Sequence, residues 1–196
     1  KISGIHENVK TNLHWLDAKK FETDTKKELA KLSGYDGILV PGGFGETGIE
    51  GKIKVIEYAR VNKIPYFGLC YGMQLMVVEY ARNVLGLKDA NTVEIDPKTA
   101  NPVIDIMPEQ KKKLEVKEYG ASMRLGTYEA AIEKGTVAFN AYKKAKVLER
   151  HRHRYEVNPN YIDVIQKAGL VFSGKSPNGV LMEIAELPKS MHPFFL

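Results

Sequence analysis

The sequence predicts a doubly wound α/β fold, a mostly parallel sheet with helices on both faces. Short apolar runs alternate with amphipathic stretches along the 196 residues, a rhythm that places crossover helices between parallel strands. Two of the apolar runs end abruptly in turn chemistry, Tyr35–Val40 at Pro41-Gly-Gly and Ile64–Leu69 at Cys70. No repeat, low-complexity linker or shift in composition interrupts the chain, so residues 1–196 read as one domain.

Taken in order, Asn12–Leu16 reads as a strand and 24–32 as a helix. Tyr35–Val40 reads as a buried strand. Residues 50–62 form a helix whose apolar face is Ile53, Val55, Ile56 and Ala59. A second buried strand covers Ile64–Leu69, and a helix follows over Gly72–Val84. The second half is less regular. Asp163–Ala168 is helical, Leu170–Ser173 and Gly179–Ile184 read as strands of a returning sheet, and the run Lys111-Lys-Lys113 falls in an exposed loop.

Composition narrows the function classes. The chain is 43% apolar and 27% charged, with one cysteine and a net charge of +5. The basic excess is scattered rather than clustered, which argues against a nucleic-acid partner. No apolar run approaches the ~20 residues that span a bilayer, and Lys1 opens a mixed segment without a signal-peptide pattern. A lone cysteine excludes an internal disulfide framework, and the lack of a CxxC pair argues against structural zinc; both point to a reducing, cytoplasmic setting.

That cysteine sits in Gly68-Leu-Cys-Tyr-Gly72, directly after a strand and directly before a helix. The pattern has the form of a nucleophile elbow, in which a strained central residue brings backbone so close that side chains two positions away would clash. A helix N-terminus at this point favours thiolate over thiol. The alternative is a structural cysteine packed as a small hydrophobe. A second turn, Pro41-Gly-Gly-Phe-Gly45, closes the preceding strand and can aim backbone N–H groups outward. With the N–H of Tyr71, that of Gly43 would form a two-donor oxyanion hole. The other readings of this loop are a plain connection or a phosphate cradle, although it matches neither GxxxxGK[ST] nor GxGxxG.

Together, Pro41-Gly-Gly-Phe-Gly45 and Gly68-Leu-Cys-Tyr-Gly-Met-Gln74 resemble the class I (triad-type) glutamine amidotransferases. Gly48-Ile-Glu-Gly-Lys52, Met107-Pro-Glu-Gln110, Met123-Arg-Leu-Gly126 and above all Glu149-Arg-His-Arg-His-Arg-Tyr-Glu-Val-Asn158 narrow this to the amidotransferase domains of CTP synthases. The resemblance covers nearly the whole chain and implies a flavodoxin-like fold with L-glutamine as substrate. It assigns Cys70 as the nucleophile that forms a γ-glutamyl thioester, and Gly43 as the oxyanion-loop glycine. Tyr71, Gly72, Met73 and Gln74 become the strip lining the glutamine site, although leucine is more usual where Tyr71 stands. It assigns Glu94 to the substrate α-ammonium and Arg154 to the α-carboxylate, whose geometry suits a guanidinium fork. Without it, Arg150–Arg154 would suggest nucleic acid or a metal shared by two histidines; with it, the segment is a wall of the glutamine site and no metal is expected.

The resemblance also implies partners. Ammonia would pass to a synthetase domain of the same polypeptide that aminates UTP to CTP with ATP and Mg²⁺, under allosteric control by GTP and in a homotetramer. The family's general base and the carboxylate that orients it come from a His-Pro-Glu motif, which this chain lacks. Of five histidines, only His192 precedes a proline, and Phe194 stands where the glutamate would be. In register, Glu186–Phe195 matches the segment just upstream of that motif. His192 is therefore a decoy, the base is expected beyond Leu196, and the chain by itself is expected to hydrolyse glutamine poorly. The register also places Lys1 inside the family's domain, past its first strand, with the synthetase domain expected further upstream. Two rivals stand beside this reading: a DJ-1/PfpI-type cysteine enzyme, which would carry histidine where Tyr71 is, and a catalytically degenerate binding module.

Overall fold

In a computed structural model, residues 1–106 and 124–196 are described. The chain opens with α1 (Ile2–His6), α2 (Lys20–Thr23), α3 (Thr25–Lys31) and a 3₁₀ turn over Leu32–Gly34. A strand-helix-strand-helix unit follows: β1 (Ile38–Val40), α4 (Ile49–Val61), β2 (Tyr66–Gly68) and α5 (Tyr71–Asn83). Next come β3 (Ala90–Thr92), β4 (Asn101–Ile106), β5 (Arg124–Ile132), α6 (Val137–Tyr142), β6 (Lys146–His153) and β7 (Tyr155–Val157). The chain closes with α7 (Pro159–Lys167), β8 (Val171–Lys175) and β9 (Met182–Glu186).

The first half is parallel, as its rhythm predicts. β1 pairs with β2 in register Val40↔Gly68, so both strands end side by side, and Phe195 bridges Tyr66 in parallel on the other edge of β2. β3 pairs with β4 in parallel as well. The returning strands are antiparallel: β7 lies on β4, and the order β6-β5-β8-β9 completes a four-stranded sheet. Helices α4 and α5 pack on each other, and with β2, β4, α7 and β8 they bury one continuous apolar core. Ile53, Val55, Ile56 and Ala59, the predicted face of α4, are all buried.

Two strand expectations are corrected. Asn12–Leu16 forms no strand; it is exposed, with Trp15 at 89%. Its alternating pattern suits a strand, but a strand is made by a ladder, and among the described residues none pairs with it. The second correction is partial: β1 is shorter than Tyr35–Val40 and not buried throughout, since Leu39 faces outward while Val40 enters the core and Ile38 packs half-buried against it. The loop expected at Lys111–Lys113 and the segment Met107–Gln110 lie outside the described residues. Among the described residues, no helix is long and apolar enough to cross a membrane.

Candidate active site

The geometry begins at the end of β2. Cys70 takes φ 51° and ψ −98°, a left-handed conformation that side chains rarely adopt. The turn leaves room for nothing at the flanking positions. A Cβ on Gly72 would lie 2.3 Å from the Val40 carbonyl oxygen, and one on Gly68 would lie 2.7 Å from the Gly72 carbonyl carbon. Backbone bonds clamp the turn: Leu69 N–H donates to Val40 C=O at 2.9 Å, and the buried Tyr66 hydroxyl donates to Gly72 C=O at 2.9 Å. Cys70 is thereby set at the N-terminus of α5, accessible to solvent.

The glycine loop after β1 faces it. A Cβ on Gly42 would stand 3.5 Å from Cys70 Cβ, so the loop backbone lies directly against the nucleophile candidate. The Tyr71 side chain turns beneath this loop and donates its hydroxyl to Gly45 C=O at 2.9 Å. Gly45 N–H donates to Glu94 Oε1 at 3.1 Å.

A cleft opens beside Cys70, lined by Met73, Gln74, β6 from Glu149 to His153, Glu183 of β9 and Leu196. The side chains of its floor form a buried charged cluster. Arg124 Nη2 meets Glu183 at 2.7 Å and Arg124 Nη1 meets Glu156 at 3.6 Å. His151 Nδ1 lies 2.7 Å from His153 Nε2. Burial first, and then the Glu183 carboxylate, push the Glu156 carboxyl up to about 8 against the pull of Arg124. Burial likewise pushes His153 down to about 4, with His151 and Arg124 acting in the same direction.

The helix N-terminus favours the thiolate, and desolvation in the cleft works against it, pushing the thiol up. The Tyr71 N–H opposes this, while Glu156 and Glu94 add to it. A thiol in this setting needs a base to ionise it.

The remaining site residues divide. Met73 and Gln74 line the cleft, and the Gln74 side-chain amide also donates to Tyr155 C=O at 2.9 Å, tying α5 to β7. Gly72 is buried against β1 and its role is steric. Glu94 sits near enough to act electrostatically on Cys70, Tyr71 and Tyr155. Arg154 lies at the bend between β6 and β7, bonded to the Tyr155 phenol, and the structure does not bring it to the cleft wall. His192 is buried on the far side of the core: Nε2–H donates to Ala59 C=O at 3.1 Å, and Nδ1 accepts from Phe194 N–H at 3.2 Å. Both ring nitrogens are engaged, which suits the decoy reading. Among the described residues, no group of three or more His, Cys, Asp or Glu is arranged to hold a metal ion.

Sequence reasoning placed the Tyr71 N–H but missed its hydroxyl bond to Gly45 and the role of Arg124, because both depend on contacts between distant segments. The buried Glu186 was missed as well; it accepts from the Val137 and Ala138 N–H groups and from the Ser173 hydroxyl.

Comparison with known proteins matches this arrangement. The family model for glutamine amidotransferase class-I covers residues 3–194. The chain belongs to the class I glutamine amidotransferase family. Within it, the chain is 53% identical over its whole length to a CTP synthase of Caldanaerobacter subterraneus subsp. tengcongensis, and 54% identical over 96% of its length to one of Methanococcoides burtonii. It spans about a third of each, 35% and 34%. Among solved structures, the glutaminase domain of Trypanosoma brucei CTPS with bound acivicin superposes with a TM-score of 0.89 at 37% identity, covering 98% of this chain and 73% of that one. As a class I amidotransferase the chain has the flavodoxin-like α/β fold that its sequence implies.

Proposed function

We propose that this chain is the glutamine-hydrolysing domain of a CTP synthase. The observation that carries the reading is the elbow itself. A strained Cys70 stands at the N-terminus of a thirteen-residue helix with the Gly42-Gly43 backbone against it, in a chain similar throughout to an acivicin-bound glutaminase domain. Cys70 thiolate attacks the side-chain amide carbon of L-glutamine, and the developing oxyanion takes N–H donors from Gly43 and Tyr71. Collapse of the tetrahedral adduct expels ammonia and leaves a γ-glutamyl thioester; water then cleaves the thioester, releasing glutamate and restoring the thiol.

The raised thiol calls for a general base to take its proton. Glu94 would bind the α-ammonium, and Arg154, at the β6–β7 bend, would bind the α-carboxylate. The ammonia would serve a synthetase domain that uses ATP and Mg²⁺ to aminate UTP, with GTP as activator, in a cytoplasmic homotetramer. Those partners and cofactors rest on family resemblance.

The test is the intact mass of the full-length polypeptide before and after 6-diazo-5-oxo-norleucine, a glutamine mimic that alkylates activated thiolates. A single adduct on Cys70, prevented by excess glutamine and absent in Cys70→Ala, is the expected result. Full-length protein that takes up no adduct overturns the reading in favour of a degenerate binding module.

A further inference from the structure

We propose that Tyr71 is a positioning residue for catalysis: its hydroxyl holds the Gly45 peptide so that the neighbouring Gly43 N–H stays aimed at the carbonyl attacked by Cys70. The inference rests on the glutaminase reading above and gives a task to a side chain where that reading uses only the backbone N–H.

The loop is the weak point of an oxyanion hole built this way. Pro41-Gly-Gly-Phe-Gly45 carries almost no side chains that could hold its own shape, and glycine backbone is the most costly to order. Oxyanion donors act because they are already in place when charge develops. Something outside the loop must therefore hold it. Gly45 takes φ +79°, and both of its backbone polar groups are captured by side chains. The Tyr71 hydroxyl donates to its C=O at 2.9 Å, and its N–H donates to Glu94 Oε1 at 3.1 Å.

The tyrosine is itself well fixed. It is 1% exposed, and its Cδ1 would lie 3.7 Å from a Cβ on Gly43, so the ring forms the floor under the donor residue. Lys52 reinforces the arrangement: its ammonium lies 5.4 Å from the ring centroid and donates to Thr47 C=O at 3.2 Å. The span from Gly43 to Gly48, where α4 begins, is thus held by side chains from α4, α5 and the segment after β3. Burial pushes the Tyr71 phenol well above its ordinary range, so the hydroxyl keeps its proton at any working pH. A leucine here could fill the space under Gly43 but could give nothing to Gly45 C=O.

The experiment compares Tyr71→Phe and Tyr71→Leu in the full-length polypeptide. Tyr71→Phe keeps the buried ring and deletes one oxygen. The expected result is a fall in kcat for glutamine hydrolysis of about tenfold with KM changed less than about twofold, because misplaced oxyanion donors weaken the transition state more than the bound substrate. Tyr71→Leu falls at least as far. Iodoacetamide alkylation of Cys70, which builds no oxyanion, proceeds at the wild-type rate in Tyr71→Phe. A second readout is backbone amide exchange, expected to accelerate at Gly43–Gly45 and not along α5. Unchanged kcat in Tyr71→Phe, or exchange that accelerates uniformly through α5, overturns the proposal and leaves Tyr71 a packing residue. A wild-type protein that neither hydrolyses glutamine nor takes up the diazo mimic overturns the glutaminase reading itself, and this proposal with it.

Discussion

The elbow and the charged floor of the cleft lie side by side, yet they are built in opposite ways. The elbow is a local object: Gly68, Cys70 and Gly72 lie within five residues, and what fixes them is backbone pressed against backbone, with 2.3 Å separating a hypothetical Gly72 Cβ from Val40 oxygen. The charged floor is assembled from four strands. Arg124 comes from β5, His151 and His153 from β6, Glu156 from β7 and Glu183 from β9, and the β5–β6 register sets Arg124 opposite His153. Steric demands select a residue type and leave it visible at its position. Electrostatic demands depend on register, so they show only when the strands are in place. The floor nonetheless touches the elbow, since Glu156 adds to the burial that keeps the Cys70 thiol up.

The largest effects test the steric side. Gly72→Ala drives a methyl group into the end of β1, and neither backbone can retreat without opening the β1–β2 register. The expected cost is at least about 4 kcal/mol in urea unfolding, or failure to fold. Gly126→Ala serves as the control. Its φ is +122° but nothing lies within 4 Å, so backbone strain alone costs about 1 kcal/mol. Similar costs at both sites would remove the claim that close approach dictates the elbow. On the electrostatic side, Arg124→Met leaves the Glu183 carboxylate buried beside Glu156, which is raised to about 8 and so protonated at neutral pH, without its cation. The expected loss is about 3 kcal/mol at neutral pH. A loss under about 1 kcal/mol in the same measurement would mean that the cluster is wet enough to screen itself.

What the sequence made legible follows the same division. The helices predicted over 50–62 and Gly72–Val84 are observed as Ile49–Val61 and Tyr71–Asn83, because periodicity and flanking turns are local signals. The elbow glycines were readable for the same reason. Asn12–Leu16 misled because alternation says which residues could pair and not whether a partner strand is there. The run Arg150–Arg154 was readable as a family signature, but its physics was not. Alternation along β6 turns Arg150 and Arg152 outward and His151 and His153 inward, and the bend at Arg154 carries the chain to β7. A helix N-terminus is visible in sequence, whereas the burial that pushes the Cys70 thiol up, and the Glu156 and Glu94 charges that add to it, arise only through the fold.

A moderate effect follows from the cluster's proton balance. Glu156 is raised from an ordinary 4.5 to about 8, so its contribution to stability is complete below 4.5 and is lost as pH rises toward 8. His153 is lowered from 6.5 to about 4, so its contribution is present above 6.5 and is lost as pH falls toward 4. Between 4.5 and 6.5 the two slopes oppose each other, and above 6.5 only Glu156 acts. Wild-type stability, read by urea unfolding across pH, is therefore expected to fall from 6.5 to 8, since His151 and His192 are lowered as well and act only below 6.5. Glu156→Gln should abolish that fall and leave stability rising from pH 4 to 6.5. An alkaline fall that survives in Glu156→Gln would show that another group takes the charge.

The smallest effect joins the two regions. Three influences set the Cys70 thiol: burial raises it most, the Tyr71 N–H lowers it, and Glu156 then Glu94 raise it further. Glu156 is itself protonated until about pH 8, so its repulsion of the thiolate acts only above that pH. Removing that charge should let Cys70 ionise sooner. The pH profile of iodoacetamide alkylation is expected to move to lower pH in Glu156→Gln, and to move less in Glu94→Gln. The ordering is informative because Glu94 also anchors Gly45 N–H through an oxygen that glutamine retains. Substitution there removes the charge while the loop stays held. If neither profile moves, burial alone keeps the thiol protonated, and the charged floor serves the stability of the sheet rather than the chemistry of the elbow.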